Sequence, residues 1–247
     1  MQSKKPYISV TIPAYNESAN FLTGVLDEPL KYLRQLKYSW ELIFVDDGST
    51  DETYRLLSKL AGKNIRILRI PHGGKAAAVT AGILAASGQY VLFTDFDQST
   101  PLFQVANFLA AHQSGADVVI GIRAHTQKDT LVRKIRSWAF VTLVQIVALP
   151  DIQDSQCGFK SFTRSAAQKI FTSLKVSLPK DMVTGGYMGA FDVEVLFLAR
   201  KFGFRIDQVP VNWIKFVSDR LNIWKEPLQM AIDTLKVRLW DILGKYG

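Results

Sequence analysis

A single cysteine, Cys157, stands in a chain of 247 residues, so no disulfide can close within it. That usage fits a reducing compartment. No run reaches the ~20 apolar residues of a transmembrane helix. The nearest candidate, Trp138–Leu149, is shorter and is interrupted by Thr142 and Gln145. Met1–Pro6 is polar and the apolar run behind it ends at Pro13, a pattern unlike a secretory leader. The expectation is a soluble or peripherally attached protein. Internal repeats, a linker rich enough to divide the chain and any recognisable nucleic-acid module are also absent. The simplest organisation is therefore one domain over residues 1–247.

What the chain does contain is enough apolar residue for a full core, 48% against 21% charged, the balance of a globular protein rather than a disordered one. A formal charge of +8 favours anionic partners, from acidic lipid to phosphorylated small molecules.

Up to Gly121, short β-branched runs alternate with helical spacing. Strands are expected at Tyr7–Pro13, Glu41–Val45, Ile65–Ile70, Tyr90–Thr94 and Asp117–Gly121. Helices are expected over Ser18–Leu36, from Ser49 (with Glu52 as a capping box) through Leu60, over Lys75–Ala86 and over Leu102–Gln113. This order predicts an α/β fold, a mostly parallel sheet with helices on both faces, whose ligands bind beyond the carboxyl ends of the strands. Beyond Gly121 come a basic stretch (Arg123, Lys128, Arg133, Lys134, Arg136), the apolar segment from Trp138, the loop Asp154–Phe162 and a helix over Asp192–Phe202. One or two strands follow within Arg205–Phe216, then an amphipathic helix from Glu226 with Leu228, Ala231, Leu235, Leu239 and Ile242 on one stripe.

Three polar clusters follow successive strands: Pro13-Ala14-Tyr15-Asn16-Glu17, Asp46-Asp47-Gly48-Ser49-Thr50-Asp51 and Asp95-Phe96-Asp97. Each alone is common, but their order and placement together are specific. With them the chain resembles the inverting family 2 glycosyltransferases of the GT-A fold. Asp154-Ser155-Gln156-Cys157-Gly158-Phe159-Lys160 and Val209-Pro210-Val211-Asn212-Trp213 make it most similar to the branch that glycosylates dolichyl or polyprenyl phosphate, the β-glucosyltransferases in particular.

The resemblance implies a nucleotide-sugar half at 1–121 and an acceptor and membrane-interface half at 122–247. UDP-glucose is the favoured donor, and polyprenyl or dolichyl phosphate at the cytoplasmic face of a membrane is the acceptor. Asp46, at a strand end, would read the uracil, with Pro13, Tyr15, Glu17 and Lys75 completing the donor contacts. Asp97 would hold Mg2+ or Mn2+ beside the diphosphate, with Asp95 assisting or touching nucleotide and sugar, since paired hard carboxylates suit those ions. Arg123 would position the acceptor phosphate, with Arg133 and Arg220 behind it, while Asp154 and Gln156 face sugar and acceptor and Cys157 and Phe159 pack.

The sequence departs from the family's Asn-x-Gly-Lys-Gly element, with His72 for asparagine and Ala76 for the second glycine. His72-Gly73-Gly74-Lys75 is therefore either a phosphate grip or a plain helix start. Asp192 and Glu194 are either charge stabilisation for a helix N-terminus or, if the acceptor is a hydroxyl, the base. Arg133 and Arg136 suit phosphate or a solvated helix face. The tail, with Trp224 and Trp240, suits a lipid interface, the core or a dimer. A hydroxyl-directed glycosyltransferase and a nucleotide-sugar binder without turnover are the alternatives to lipid-phosphate transfer.

Overall fold

The computed structural model describes residues 5–123, 140–178, 190–214 and 225–246. Within them one seven-stranded sheet takes the order β3-β2-β1-β4-β6-β5-β7. Its strands are β1 (Ile8–Ala14), β2 (Trp40–Asp46), β3 (Ile65–Arg69), β4 (Tyr90–Phe93), β5 (Val118–Arg123), β6 (Lys160–Thr163) and β7 (Ile206–Val211). β1 pairs in parallel with β2 and β4, β2 with β3, and β5 with β7, whereas β6 runs antiparallel between β4 and β5. The helices are α1 (Ser18–Leu22), α2 (Asp27–Gln35), α3 (Thr53–Ser58), α4 (Gly74–Ala85), α5 (Val105–Gln113), α6 (residues 140–147), α7 (Arg164–Thr172), α8 (Phe191–Lys201) and α9 (Lys225–Ile242). The sheet is mostly parallel, as the alternation of strands and helices predicts.

The period-two geometry of strands sends neighbours to opposite faces. Ile43, Val45, Val91, Phe93, Val118 and Ile120 join a core with α4, α7 and α8, while Leu42, Phe44, Leu92 and Val119 join a second with α2 and α5. In β1 the first of these faces is polar, with Ser9 and Thr11 fully buried. The small-residue helix α4 packs against it. Gly82 brings α4 so close to β1 that a Cβ there would stand 2.1 Å from Thr11 Cγ2 and 2.9 Å from Val45 Cγ2. Ser9 Oγ in turn donates to Glu41 at 2.6 Å and accepts the Gly88 N–H at 2.8 Å. The close seat of α4 carries Lys75, at its first turn, to the carboxyl edge of the sheet.

Several expectations are corrected. The helix expected over Ser18–Leu36 is two, α1 and α2, because Gly24 takes a left-handed φ of +79° between them. The capping box at Ser49 and Glu52 does not form. Glu52 makes no side-chain cap; Asp51 instead accepts the Thr53 N–H at 2.9 Å. The loop expected over Asp154–Phe162 ends in strand β6, followed at once by α7, whose cap is the Thr163 hydroxyl accepting the Ala166 N–H at 3.3 Å. The apolar segment expected from Trp138 is described from Phe140, and there Val144, Ala148 and Leu149 are buried in the core. Trp240 is only partly exposed, packed on that core beneath Lys245 Nζ, which lies 4.7 Å from its ring centre. Trp138, Trp224, Arg133, Arg136 and Arg220 lie outside the described residues.

Gly82→Ala is expected to cost about 1–3 kcal/mol through overpacking. The check is the midpoint of urea unfolding at unchanged slope; a midpoint equal to wild type would contradict the close seat of α4 on β1.

Candidate active site

Parallel strands end together, so the loops after β1, β2 and β4 meet at one edge. The first two are laced to each other. Asn16, with a left-handed φ of 51°, donates its N–H to Ser49 Oγ at 3.0 Å and accepts the Thr50 N–H on Oδ1 at 2.9 Å. Glu17 donates its N–H to Thr53 Oγ1 at 2.7 Å, and its carboxylate accepts from Asn20 Nδ2. Ser18 donates from both N–H and hydroxyl to Asp51 Oδ2. Partial burial pushes the Asp51 carboxyl up, but the bonds from Ser18 and Thr53 outweigh it and bring its pKa down to about 2. Asp51 thus holds loops together.

The two aspartates Asp46, which ends β2, and Asp47, which follows it, differ. Asp47 accepts the N–H groups of Gly73 and Gly74 at 2.8 and 2.9 Å and bonds His72 Nδ1 at 2.9 Å, fastening the start of α4. Burial leaves its pKa above the usual carboxylate value despite those bonds. His72 also stacks on Tyr15, ring centres 4.0 Å apart. Asp46 is fully buried, and Arg69 Nε stands 3.1 Å from its Oδ2. Yet neither oxygen receives a well-directed hydrogen bond among the described residues. Leaving a buried acceptor unmatched costs on the order of 1–3 kcal/mol.

Beyond β4, Asp95 Oδ1 meets Lys75 Nζ at 2.5 Å. Burial works against charge on Lys75, but Asp95, Asp192 and Asp97 outweigh it and hold its pKa above the ordinary value. Gly158 allows the Asp154–Gly158 loop to lie against Asp95: a Cβ there would fall 1.9 Å from Asp95 Oδ2. Among the described residues Asp97 accepts only the Ser99 N–H, on Oδ1 at 2.9 Å, and no cation pairs with it. Gln98 between them has a φ of 53° and donates its side-chain amide to Asp95 O at 2.9 Å. Such strained backbone persists where the surroundings over-determine it. Ser99 O accepts the Ile214 N–H at 2.7 Å, which ties this loop to the segment after β7.

Arg123, at the end of β5, is held by Asp154 as a fork: Nε to Oδ2 at 2.7 Å and Nη2 to Oδ1 at 2.9 Å. Its guanidinium lies 5.5 Å from the Trp213 ring centre. Burial disfavours both charges, but the mutual bonds and attraction prevail, holding Asp154 below and Arg123 above their ordinary pKa values. Two residues expected to act separately therefore form one unit. The Nη1 hydrogens of Arg123 remain unclaimed among the described residues. Gln156 donates its N–H to Asp154 at 3.1 Å. Pro13 lies within β1, paired in register with Val45. Cys157 and Phe159 are fully buried, as their expected packing roles require.

Lys160, read in the sequence only as part of a loop, is fully buried. Its Nζ donates to Asp192 Oδ1 and to Cys157 O, both at 2.5 Å. Glu194 is spent elsewhere: it accepts the N–H groups of Lys175, Val176 and Ser177 at 2.8–2.9 Å and the Tyr246 hydroxyl at 2.6 Å. Arg69 was also missed. Its place at the carboxyl end of a strand, next in the sheet to β2, was the available signal.

The family model "Glycosyl transferase family 2" matches residues 9–171. A dolichyl-phosphate beta-glucosyltransferase of Dictyostelium discoideum is 35% identical over 99% of this chain and 79% of its own length. The protein of that name from Homo sapiens is 32% identical over 97% and 77%. Among solved structures, glucosyl-3-phosphoglycerate synthase from Mycobacterium tuberculosis, bound to Mn2+, UDP and glucosyl-3-phosphoglycerate, superposes with a TM-score of 0.64 at 19% identity, covering 94% of this chain and 80% of that one. A Pyrobaculum calidifontis mannosyltransferase with GDP-mannose and Mn2+ reaches 0.56 at 17% identity, covering 99% and 74%. Those two likenesses concern the fold.

Removing one partner of a buried ion pair costs about 3–5 kcal/mol, because the other charge is left behind. Lys160→Met is expected to lose stability on that scale, and adding Asp192→Asn should recover part of it. Chemical denaturation of both variants is the check, and a double variant no more stable than Lys160→Met alone would contradict the pairing.

Proposed function

The chain belongs to glycosyl transferase family 2, and from that premise we propose that it moves glucose from UDP-glucose to the phosphate of a polyprenyl or dolichyl carrier, with inversion. The observation that carries the choice of acceptor is the commitment of both candidate bases. Asp192 faces the Lys160 ammonium at 2.5 Å, and Glu194 is saturated by three amides and a phenol. A hydroxyl acceptor needs a base to take its proton, whereas a phosphate is already ionised at neutral pH. The naming of the relatives that span nearly the whole chain supports the same acceptor and glucose as the sugar.

In this reading residues 1–121 hold the donor and 122–247 the acceptor within a single domain. The unmatched Asp46 carboxylate takes the uracil N–H, with Pro13, Tyr15 and Glu17 on the loop beside it. Lys75 and Asp95 face diphosphate and sugar. Asp97, whose Oδ2 is unclaimed among the described residues, fits a divalent cation, Mg2+ or Mn2+. No group of three or more His, Cys, Asp or Glu side chains placed to hold a metal ion by themselves stands among those residues. A cation held by Asp97 would draw its remaining ligands from diphosphate and water, as is usual for Mg2+. The metal, when bound, neutralises charge on the departing diphosphate. Arg123, oriented by Asp154 and backed by Trp213, offers Nη1 to the acceptor phosphate, and Gln156 lies on the same loop. Arg133 and Arg220 are assigned to that phosphate as well. One phosphate oxygen attacks the anomeric carbon as the bond to UDP breaks on the opposite side, which gives the inverted glycosyl phosphate and free UDP.

An acceptor of this kind stays in the bilayer, so the enzyme works at a membrane surface, on the cytoplasmic side where it meets soluble nucleotide sugar. No helix among the described residues is long and apolar enough to cross a membrane.

The test is transfer of label from UDP-glucose into organic-extractable polyprenyl phosphate. Label in the lipid, abolished by EDTA and reduced on the order of a hundredfold in Arg123→Lys because the fork to Asp154 is lost, is the expected result. UDP release with a glycan acceptor and no lipid label would overturn it.

A further inference from the structure

Helix α9 has two faces of opposite character. One is built into the protein: Asp233, Thr234 and Val237 are buried, and Trp240 and Tyr246 pack against the core. The other carries Leu228, Ile232, Leu235, Leu239 and Ile242, at alternating spacings of four and three, between 39% exposed at Ile232 and 71% at Ile242. Such spacing lines residues along one stripe of a helix. Leu243 extends the stripe at its end.

The charges beside the stripe are of one sign. Lys236 borders it on one side and Arg238 on the other, both exposed, and exposed Lys245 follows. Two acids of the helix, Asp233 and Asp241, stand behind these cations. Asp233 pairs with Lys236, and Asp241 pairs with Arg238 and with Lys201 of α8. From Leu228 to Ile242 the positions next to the stripe are Gln229 and Lys236 on one side and Ala231 and Arg238 on the other. Two copies joined along this seam would set cation against cation or against a neutral side chain, with no acid to answer it. An apolar stripe bordered by cations instead matches a bilayer surface with anionic headgroups, which takes the leucines into the acyl boundary and the ammonium and guanidinium groups to the phosphates.

We propose that the exposed face of α9 is a membrane-docking surface that lies flat in the headgroup layer of an anionic bilayer. Its purpose rests on the lipid-phosphate reading above, but its binding does not. The helix remains packed on α8 while docked, since the docking face and the core face share no residue.

The experiment is co-sedimentation of the full chain with vesicles of phosphatidylcholine alone or with phosphatidylglycerol added. Wild type is expected to bind the anionic vesicles, and added salt is expected to weaken that binding. Leu235→Glu with Leu239→Glu, both exposed positions, should lower partition by at least about tenfold without shifting the melting temperature. Lys236→Gln with Arg238→Gln should remove the preference for anionic lipid. The leucine variant should keep wild-type transfer to a short-chain, water-soluble polyprenyl phosphate and lose it to an acceptor embedded in vesicles. Wild type left in the supernatant, leucine variants that bind as wild type, or light scattering that shows a dimer dissolved by those variants would each overturn the proposal. A wild type that binds vesicles but transfers sugar to neither acceptor would leave the docking surface standing and overturn the function instead.

Discussion

Concentrated negative charge at the carboxyl edge of the sheet is the constraint around which the site is organised. Asp46, Asp47, Asp95, Asp97, Asp154 and Asp192 are all half-buried or buried. Carboxylates gathered there would repel one another without partners nearby. The answers come from four elements. Arg69 at the end of β3 faces Asp46, the first turn of α4 binds Asp47, and Lys75 on the same helix meets Asp95. Arg123 of β5 forks onto Asp154, and Lys160 of β6 meets Asp192. The ion pairs thus hold strands, helices and loops in one arrangement. Their value is geometric more than energetic, since desolvation offsets much of the attraction in buried pairs. Asp97 has neither a cationic partner nor a grip like that of α4 on Asp47 among the described residues.

Sheet order explains how these partners reach the edge. β1, β2 and β4 are parallel neighbours, so their following loops leave from the same side. The antiparallel β6 enters between β4 and β5, which delivers the Asp154–Gly158 loop to the start of β6, opposite the end of β4. Gly158 then lets that loop touch Asp95, and Gly82 lets α4 sit low enough for Lys75 to reach the same carboxylate. Both glycines serve by the absence of a side chain, one under the site and one within it.

Much of this was legible from residue order. The strands of the first half fall within about two residues of their expected positions, because buried parallel strands write themselves as short β-branched runs closed by turn residues. The three acidic and polar clusters were visible for the same reason, each following a strand. β6 was not visible: Lys-Ser-Phe-Thr is four residues long, and its lysine is buried only because Asp192, 32 positions away, is there to meet it. The cap and spacing of α7, with Thr163 before Ala166, Ala167, Ile170 and Phe171, offered a signal that went unread. Pairings across the fold were out of reach altogether. Nothing local distinguishes Glu194, consumed by the 175–177 turn and Tyr246, from Asp192 two residues earlier, and Arg123 and Asp154 look like two independent candidates until the chain folds.

The central claim is that the carboxylate left unpaired at this edge is the one a bound ligand completes. Binding of Mn2+ in the presence of UDP, followed by electron paramagnetic resonance, tests it most directly. Wild type should bind the ion with UDP, Asp97→Ala should lose that binding, and Asp51→Ala, which removes a carboxylate used only to fasten loops, should retain it. An Asp97→Ala protein that binds Mn2+ and UDP as wild type does would contradict the account.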